Sequence, residues 1–193
     1  MSAPDSRATA TAGEHYVSYR IACLGLIPTL VRPSVPSVDL LVSSFEGSQT
    51  VGVQVRTTSN ARREKPKGSL EDASHLQFPL SQYAVAEAAA TGIFCFVDLR
   101  LRSPADGPEV YIVPAKNLKR EYARNSGRKY SPFFHQRSAA AMEPFRNNWA
   151  PLIDGLAEEK NPDTGSRSPL ASAEPSLEMQ GASLKNWVAV AGS

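Results

Sequence analysis

Two periods of apolar spacing run through this chain, and they predict its elements. Residues 37–58, SVDLLVSSFEGSQTVGVQVRTT, read as two strands joined by a Gly-containing turn. The first, 38–43, is apolar almost throughout, as expected of a strand covered on both faces. The second alternates, with Val51, Val53 and Val55 on one face and Gly52, Gln54 and Arg56 on the other. Ahead of this hairpin, residues 13–27 place Tyr16, Val17, Ile21 and Leu24 at helical spacing, and Gly25 is suited to end that helix. The three prolines of 28–37 keep the intervening chain extended.

Beyond the hairpin the pattern weakens and then returns. Residues 59–80 are polar, basic at their start and without period, and read as a long loop. Residues 81–91 are Ala-rich and predict a short helix capped by Ser81 and ended by Gly92. IFCFVDL at 93–99 is the most apolar run and predicts a central strand, followed after the turn SPADGP by another strand at 110–113. Pro114 is placed to open a basic helix, PAKNLKREYARN. Met142, Phe145, Trp149, Leu152 and Ile153 predict one further helix over 138–156 that docks on the sheet. Helices and strands in this order predict an α/β fold with a mixed central sheet flanked by helices. Residues 1–12 read as a flexible lead-in, 13–156 as the domain, and 157–193 as a Pro/Ser-rich tail with a short apolar end.

Composition adds bounds to this outline. A chain of 193 residues with 41% hydrophobic content suits one domain with extensions, and a formal charge of +2 is too small to identify a nucleic-acid binder by itself. Cys23 and Cys95, each inside an apolar run, suit buried thiols in a reducing compartment rather than a disulfide framework. The N-terminus lacks a basic segment followed by an apolar core, and no apolar run approaches membrane-spanning length. The expected setting is the cytoplasm, without a membrane partner.

The hairpin also carries the candidate chemistry. If it closes, Asp39 at the start of one strand comes close to Gln54 and Arg56 on its neighbour. Magnesium prefers hard oxygen ligands and retains several waters, so a carboxylate and an amide oxygen can hold it when substrate phosphate completes the shell. Glu14 reaches this cluster only through tertiary packing. An acid in the first turn of a helix otherwise complements the helix dipole, and Asp39, Gln54 and Arg56 could be a turn cap and a solvated strand face.

The motifs Gly13-Glu14, VDLLV, VQVRT, IFCFVDL and YIVPAKNL occur in the order seen in PD-(D/E)XK nucleases, and over residues 13–155 the chain resembles that superfamily. The similarity is to small bacterial members of restriction-endonuclease type whose second strand reads QVKT. The resemblance implies a mixed sheet flanked by helices, Mg2+ or Mn2+ as the metal, and hydrolysis of nucleic-acid phosphodiesters in bacterial defence or DNA processing. It implies Asp39, Gln54 and Glu14 as metal ligands and Arg56 where the family has lysine. That substitution is the main departure. Lysine can lose a proton when its pKa is depressed, whereas arginine stays charged, so a catalytically impaired module that binds nucleic acid or a protein stays open as the alternative.

Basic residues support a nucleic-acid partner, with DNA favoured: Arg62, Arg63, Lys65 and Lys67 in one segment, and Lys119, Arg120, Arg124, Arg128 and Lys129 in another. Tyr122, Tyr130, Phe133 and Phe134 lie among the second set and either stack on bases or anchor a loop to the core. The apolar C-terminal segment could dock on a partner protein, and the sequence is compatible with a homodimer. His15, His75 and His135 lack metal-ligand spacing for zinc.

Overall fold

The computed structural model describes residues 5–31, 38–47, 49–63, 75–101, 104–124 and 134–157. In chain order these form α1 (Ser6–Cys23), β1 (Ile27–Leu30), β2 (Leu40–Ser43), β3 (Thr50–Thr58), β4 (Arg62–Arg63), β5 (His75–Pro79), α2 (Gln82–Glu87), β6 (Ile93–Asp98), β7 (Glu109–Pro114), α3 (Ala115–Arg124), β8 (Phe134–Ser138), α4 (Ala139–Met142) and α5 (Ala150–Ala157). The Pro/Ser-rich tail and most of the proline-rich stretch lie outside the described residues.

The central sheet has the order β1-β2-β3-β6-β7 and is mixed: β3 and β6 run parallel, and the other neighbours antiparallel. The expected α/β architecture is therefore present, with a mixed sheet flanked by helices. Strand parity divides the core in two. Leu40, Val42, Val51, Val53, Val55, Ile93, Cys95, Val97, Val110 and Ile112 face one side, where Val17 and Ile21 of α1 and Leu152 and Leu156 of α5 cover them. Phe94, Phe96, Tyr111 and Val113 face the other, against Val85, Leu118, Leu76 and Phe78. β6 is buried at every position because both of its faces are covered, which is why its sequence has no polar alternation.

Several expectations need correction. The helix starts at Ser6, so residues 6–12 are not a flexible lead-in; Asp5 caps it by accepting a hydrogen bond from the Arg7 N–H at 3.0 Å. Its N-terminal turns bury little, which is why apolar spacing did not reveal them. Gly25, at φ +77°, does stand just past the helix. β2 is covered on both faces only in part, since Leu41 is exposed. Cys23 is exposed, while Cys95 is buried as expected, and both are free thiols.

The segment read as a loop at 59–80 contains β4 and β5, which pair with β8 in a second, three-stranded sheet. Its strands escaped notice because their partners are distant in sequence. Phe78, with its ring centroid 5.2 Å from that of Phe96, joins this sheet to the central one.

The long helix expected over 138–156 is broken into α4, a single 3-10 turn containing Pro144, and α5. Met142 packs on one face of the central sheet and Trp149 on the other, and no straight helix can do both. The chain crosses the β7 edge between them, with Asn147 in a left-handed conformation at φ +50°. Buried Glu109 holds this crossing: it lies 2.8 Å from Arg100 and 3.1 Å from Arg146, and accepts a hydrogen bond from the Tyr111 hydroxyl at 3.0 Å.

Candidate active site

The sheet brings Asp39 to the start of β2 and next to the middle of β3. Its backbone N–H donates to the Val53 carbonyl and its carbonyl accepts from the Val31 N–H, both at 2.9 Å, so the residue is held between β1 and β3. The carboxylate turns onto β3, where Oδ2 accepts the Val55 N–H at 2.7 Å. Asp39 thus replaces a missing ladder acceptor with a charged one, a stronger arrangement than a neutral bond. This structural task was not legible in the sequence.

Arg56 lies one residue further along β3. Its Nη1 is 3.9 Å from Asp39 Oδ2 and donates to the Val55 carbonyl at 3.1 Å, so the side chain folds back along its own strand. Both side chains are about a quarter exposed, at 27% each, which leaves the pair open to solvent. Burial pushes the Arg56 pKa down, and the charges of Asp39 and Glu14 push against that shift. Gln54, on the same strand face by the period of two, is 3% exposed, and its Oε1 has no hydrogen-bond partner among the described residues. An unpartnered buried acceptor costs about 1–3 kcal/mol.

Glu14 arrives by the packing of α1 on β3. Gly13 lies directly against Thr57, the residue after Arg56: a Cβ at position 13 would come within 2.7 Å of Thr57 Cγ2 and 2.8 Å of Thr57 Cβ. Only a glycine permits so close an approach, and it sets the next residue, Glu14, beside the hairpin. Because α1 begins at Ser6, Glu14 stands well inside the helix rather than in its first turn, which removes the helix-dipole explanation for this acid. Its pKa is raised, first by burial and then by the negative charge of Asp39, while His15 and Arg56 act in the opposite direction. The structure therefore brings Glu14, Asp39 and Arg56 into electrostatic contact, with Gln54 two residues before Arg56.

A stability prediction follows from Glu14. Its folded-state pKa lies above its unfolded value, so the unfolded chain loses the proton first as pH rises. Stability then falls across the window from the ordinary glutamate range up to the raised folded value and stays lower above it. Glu14→Gln removes this penalty, and we expect the variant to be more stable at pH 7 by about 0.5 kcal/mol, a scale set by solvent screening. Urea unfolding at pH 7 and below pH 4 checks it; the difference should vanish at the lower pH.

Among the described residues, no group of three or more His, Cys, Asp or Glu side chains is placed to hold a metal ion. The cluster at the hairpin offers two carboxylates and one amide oxygen instead. Asp98, buried at a strand end with Oδ1 accepting the Arg100 N–H at 3.0 Å, is a structural acid, as its apolar flanks suggest.

The basic residues divide. Arg62 of β4 and Arg120 and Arg124 of α3 are exposed, and Arg63 is part of β4. Lys119 is engaged in the fold, donating from Nζ to the Ala86 carbonyl at 3.1 Å and so tying α3 to α2. Lys65, Lys67, Arg128 and Lys129 lie outside the described residues, as do Tyr130 and Phe133. Tyr122 packs against the core cluster around Leu118, in line with an anchoring role. No helix among the described residues is long and apolar enough to cross a membrane.

No protein-family model matches the chain, and no curated protein is similar to it in sequence. Among solved structures, the chain is similar in fold to the bacterial homing endonuclease I-Ssp6803I, with a TM-score of 0.52 and 12% sequence identity over 81% of this chain and 98% of that one. At that identity the likeness concerns the fold alone.

Proposed function

We propose that this chain is a metal-dependent nuclease of PD-(D/E)XK type that hydrolyses nucleic-acid phosphodiesters, in bacterial defence or DNA processing. One observation carries the reading: Glu14 from α1 and Asp39 beside β2 converge on a strand whose Gln54 presents a buried acceptor with no partner. All the donors are hard oxygens, two of them anionic and mutually repelling, which fits Mg2+ or Mn2+ and no softer ion. Glu14, Asp39 and Gln54 would hold the metal. When bound, it supplies Lewis-acid activation of water and charge stabilisation at phosphorus. Arg56 presents a planar fork suited to a phosphate oxygen pair and holds the scissile group by charge, and it takes no proton from water. The exposed Arg62, Arg120 and Arg124, with Arg63, provide phosphate contacts for DNA.

A second reading rests on a specific contact. Arg56 stands 3.9 Å from Asp39 Oδ2, and Asp39 already serves Val55, so the cluster can be stable without metal. A nuclease-fold module that binds nucleic acid or a protein without cleaving would keep this arrangement.

Incubation of purified protein with single- and double-stranded DNA and RNA in Mg2+ or Mn2+ separates the two. The nuclease reading expects cleavage that EDTA abolishes. Substrate binding without cleavage in either metal would establish the module.

A further inference from the structure

We infer that Arg56 competes with the metal for Asp39 and leaves it when a phosphodiester arrives, so that nucleic acid itself switches on metal binding. This inference rests on the metal-dependent reading above and concerns how the same site is regulated. Free of substrate, the guanidinium lies 3.9 Å from Asp39 Oδ2, anchored by the Val55 carbonyl at 3.1 Å, and also feels the Glu14 carboxylate. With one cation against two acids, the cluster carries a formal charge of −1, where the same acids without Arg56 would present −2. A divalent ion entering there meets a fixed positive charge that, unlike a lysine ammonium, cannot be removed by deprotonation. Like charges this close oppose each other by an amount worth about a factor of ten or more in affinity at the effective dielectric of a protein surface.

The geometry also offers a release. The Arg56 side chain is about a quarter exposed, and its contact with Asp39 is at the outer limit of an ion pair rather than a bidentate one. A phosphate oxygen pair satisfies the fork better than a single carboxylate oxygen at that distance. Once Arg56 turns to phosphate, Asp39 Oδ2 keeps, among the described residues, only its bond to the Val55 N–H and regains capacity for a cation. Metal and nucleic acid then favour each other's binding, and by linkage the coupling is reciprocal. Such a device keeps an unloaded nuclease from holding a metal in the absence of substrate.

The test is Mn2+ affinity measured by electron paramagnetic resonance on wild type and Arg56→Met, with and without a hydrolysis-resistant phosphorothioate oligodeoxynucleotide. Methionine keeps the apolar stem and removes the charge. Without the oligonucleotide, Arg56→Met should bind Mn2+ about tenfold more tightly than wild type. The oligonucleotide should tighten Mn2+ binding by wild type about tenfold and by the variant distinctly less, because phosphate charge alone then remains to act. Equal or weaker Mn2+ binding by a folded Arg56→Met, with equal coupling in both proteins, overturns the inference and leaves the metal site standing. Absence of Mn2+ binding in both proteins under both conditions overturns the metal reading and this inference with it. Should Arg56→Met not fold, the wild-type affinities decide, since no change on adding oligonucleotide contradicts the switch.

Discussion

Gly13→Ala should destabilise the protein by about 3 kcal/mol, the upper part of the range for overpacking a close contact. The added methyl would clash with Thr57 Oγ1 and lie within 2.7 Å of Thr57 Cγ2 and 2.8 Å of Thr57 Cβ; turning χ1 can shift the first two, but Cβ is fixed to the backbone of β3, so no rotamer relieves the overlap. Either α1 lifts from β3 or β3 bends, and both movements open the core cluster that Val17 and Ile21 complete. In an ordinary exposed helix the same change would stabilise, because alanine is the better helix former by about 1 kcal/mol. The sign of the effect therefore reports the contact. Thr57→Gly in the same chain should recover much of the loss, and the coupling in a double-mutant cycle measures it. Chemical denaturation of the four proteins is sufficient. Because Glu14 follows Gly13, the metal-dependent reading proposed above expects Mn2+ affinity to fall with stability and return with it.

Asp39 variants should separate folding from chemistry. Asp39→Asn retains an oxygen for the Val55 N–H but removes the charge, and on the nuclease reading we expect a folded protein with cleavage reduced about a hundredfold or more, beyond the effect of losing an outer-shell partner of a metal. Asp39→Ala loses both and leaves the Val55 N–H unpaired in the sheet, at a further cost of about 1–3 kcal/mol. If Asp39→Asn cleaves as wild type does, the carboxylate is a ladder cap and the metal centre is elsewhere. Plasmid cleavage in Mn2+ together with thermal unfolding of both variants distinguishes these outcomes.

Legibility in the sequence tracked how local each interaction is. The hairpin of β2 and β3 and the Ser81 cap of α2 depend on near neighbours, while β6, whose parallel partner β3 is about forty residues away, was announced by its unbroken apolar run. The second sheet was missed because β5 pairs with β8 across more than fifty residues; β5 does alternate, with Leu76 and Phe78 buried between the half-buried His75 and Gln77, but the run is short and has no partner strand nearby in sequence. The predicted helix over 138–156 failed for a related reason. Its apolar residues do recur at helical spacing, but they serve two different faces of the sheet, and spacing alone cannot tell one stripe from two.

The candidate cluster divides along the same line. Gln54 and Arg56 share a strand face because side chains in a strand repeat every two residues, and that much the sequence determined alone. It also determined Asp39 as the acid entering the neighbouring strand. Only the tertiary structure decided that Glu14 joins them, since a helix and a strand about forty residues apart meet through a glycine whose missing side chain is legible only once Thr57 is seen against it. Likewise only the fold decided that Asp39 caps the Val55 N–H and faces Arg56, because a side chain's partners depend on burial and direction, which a linear order of residues does not contain.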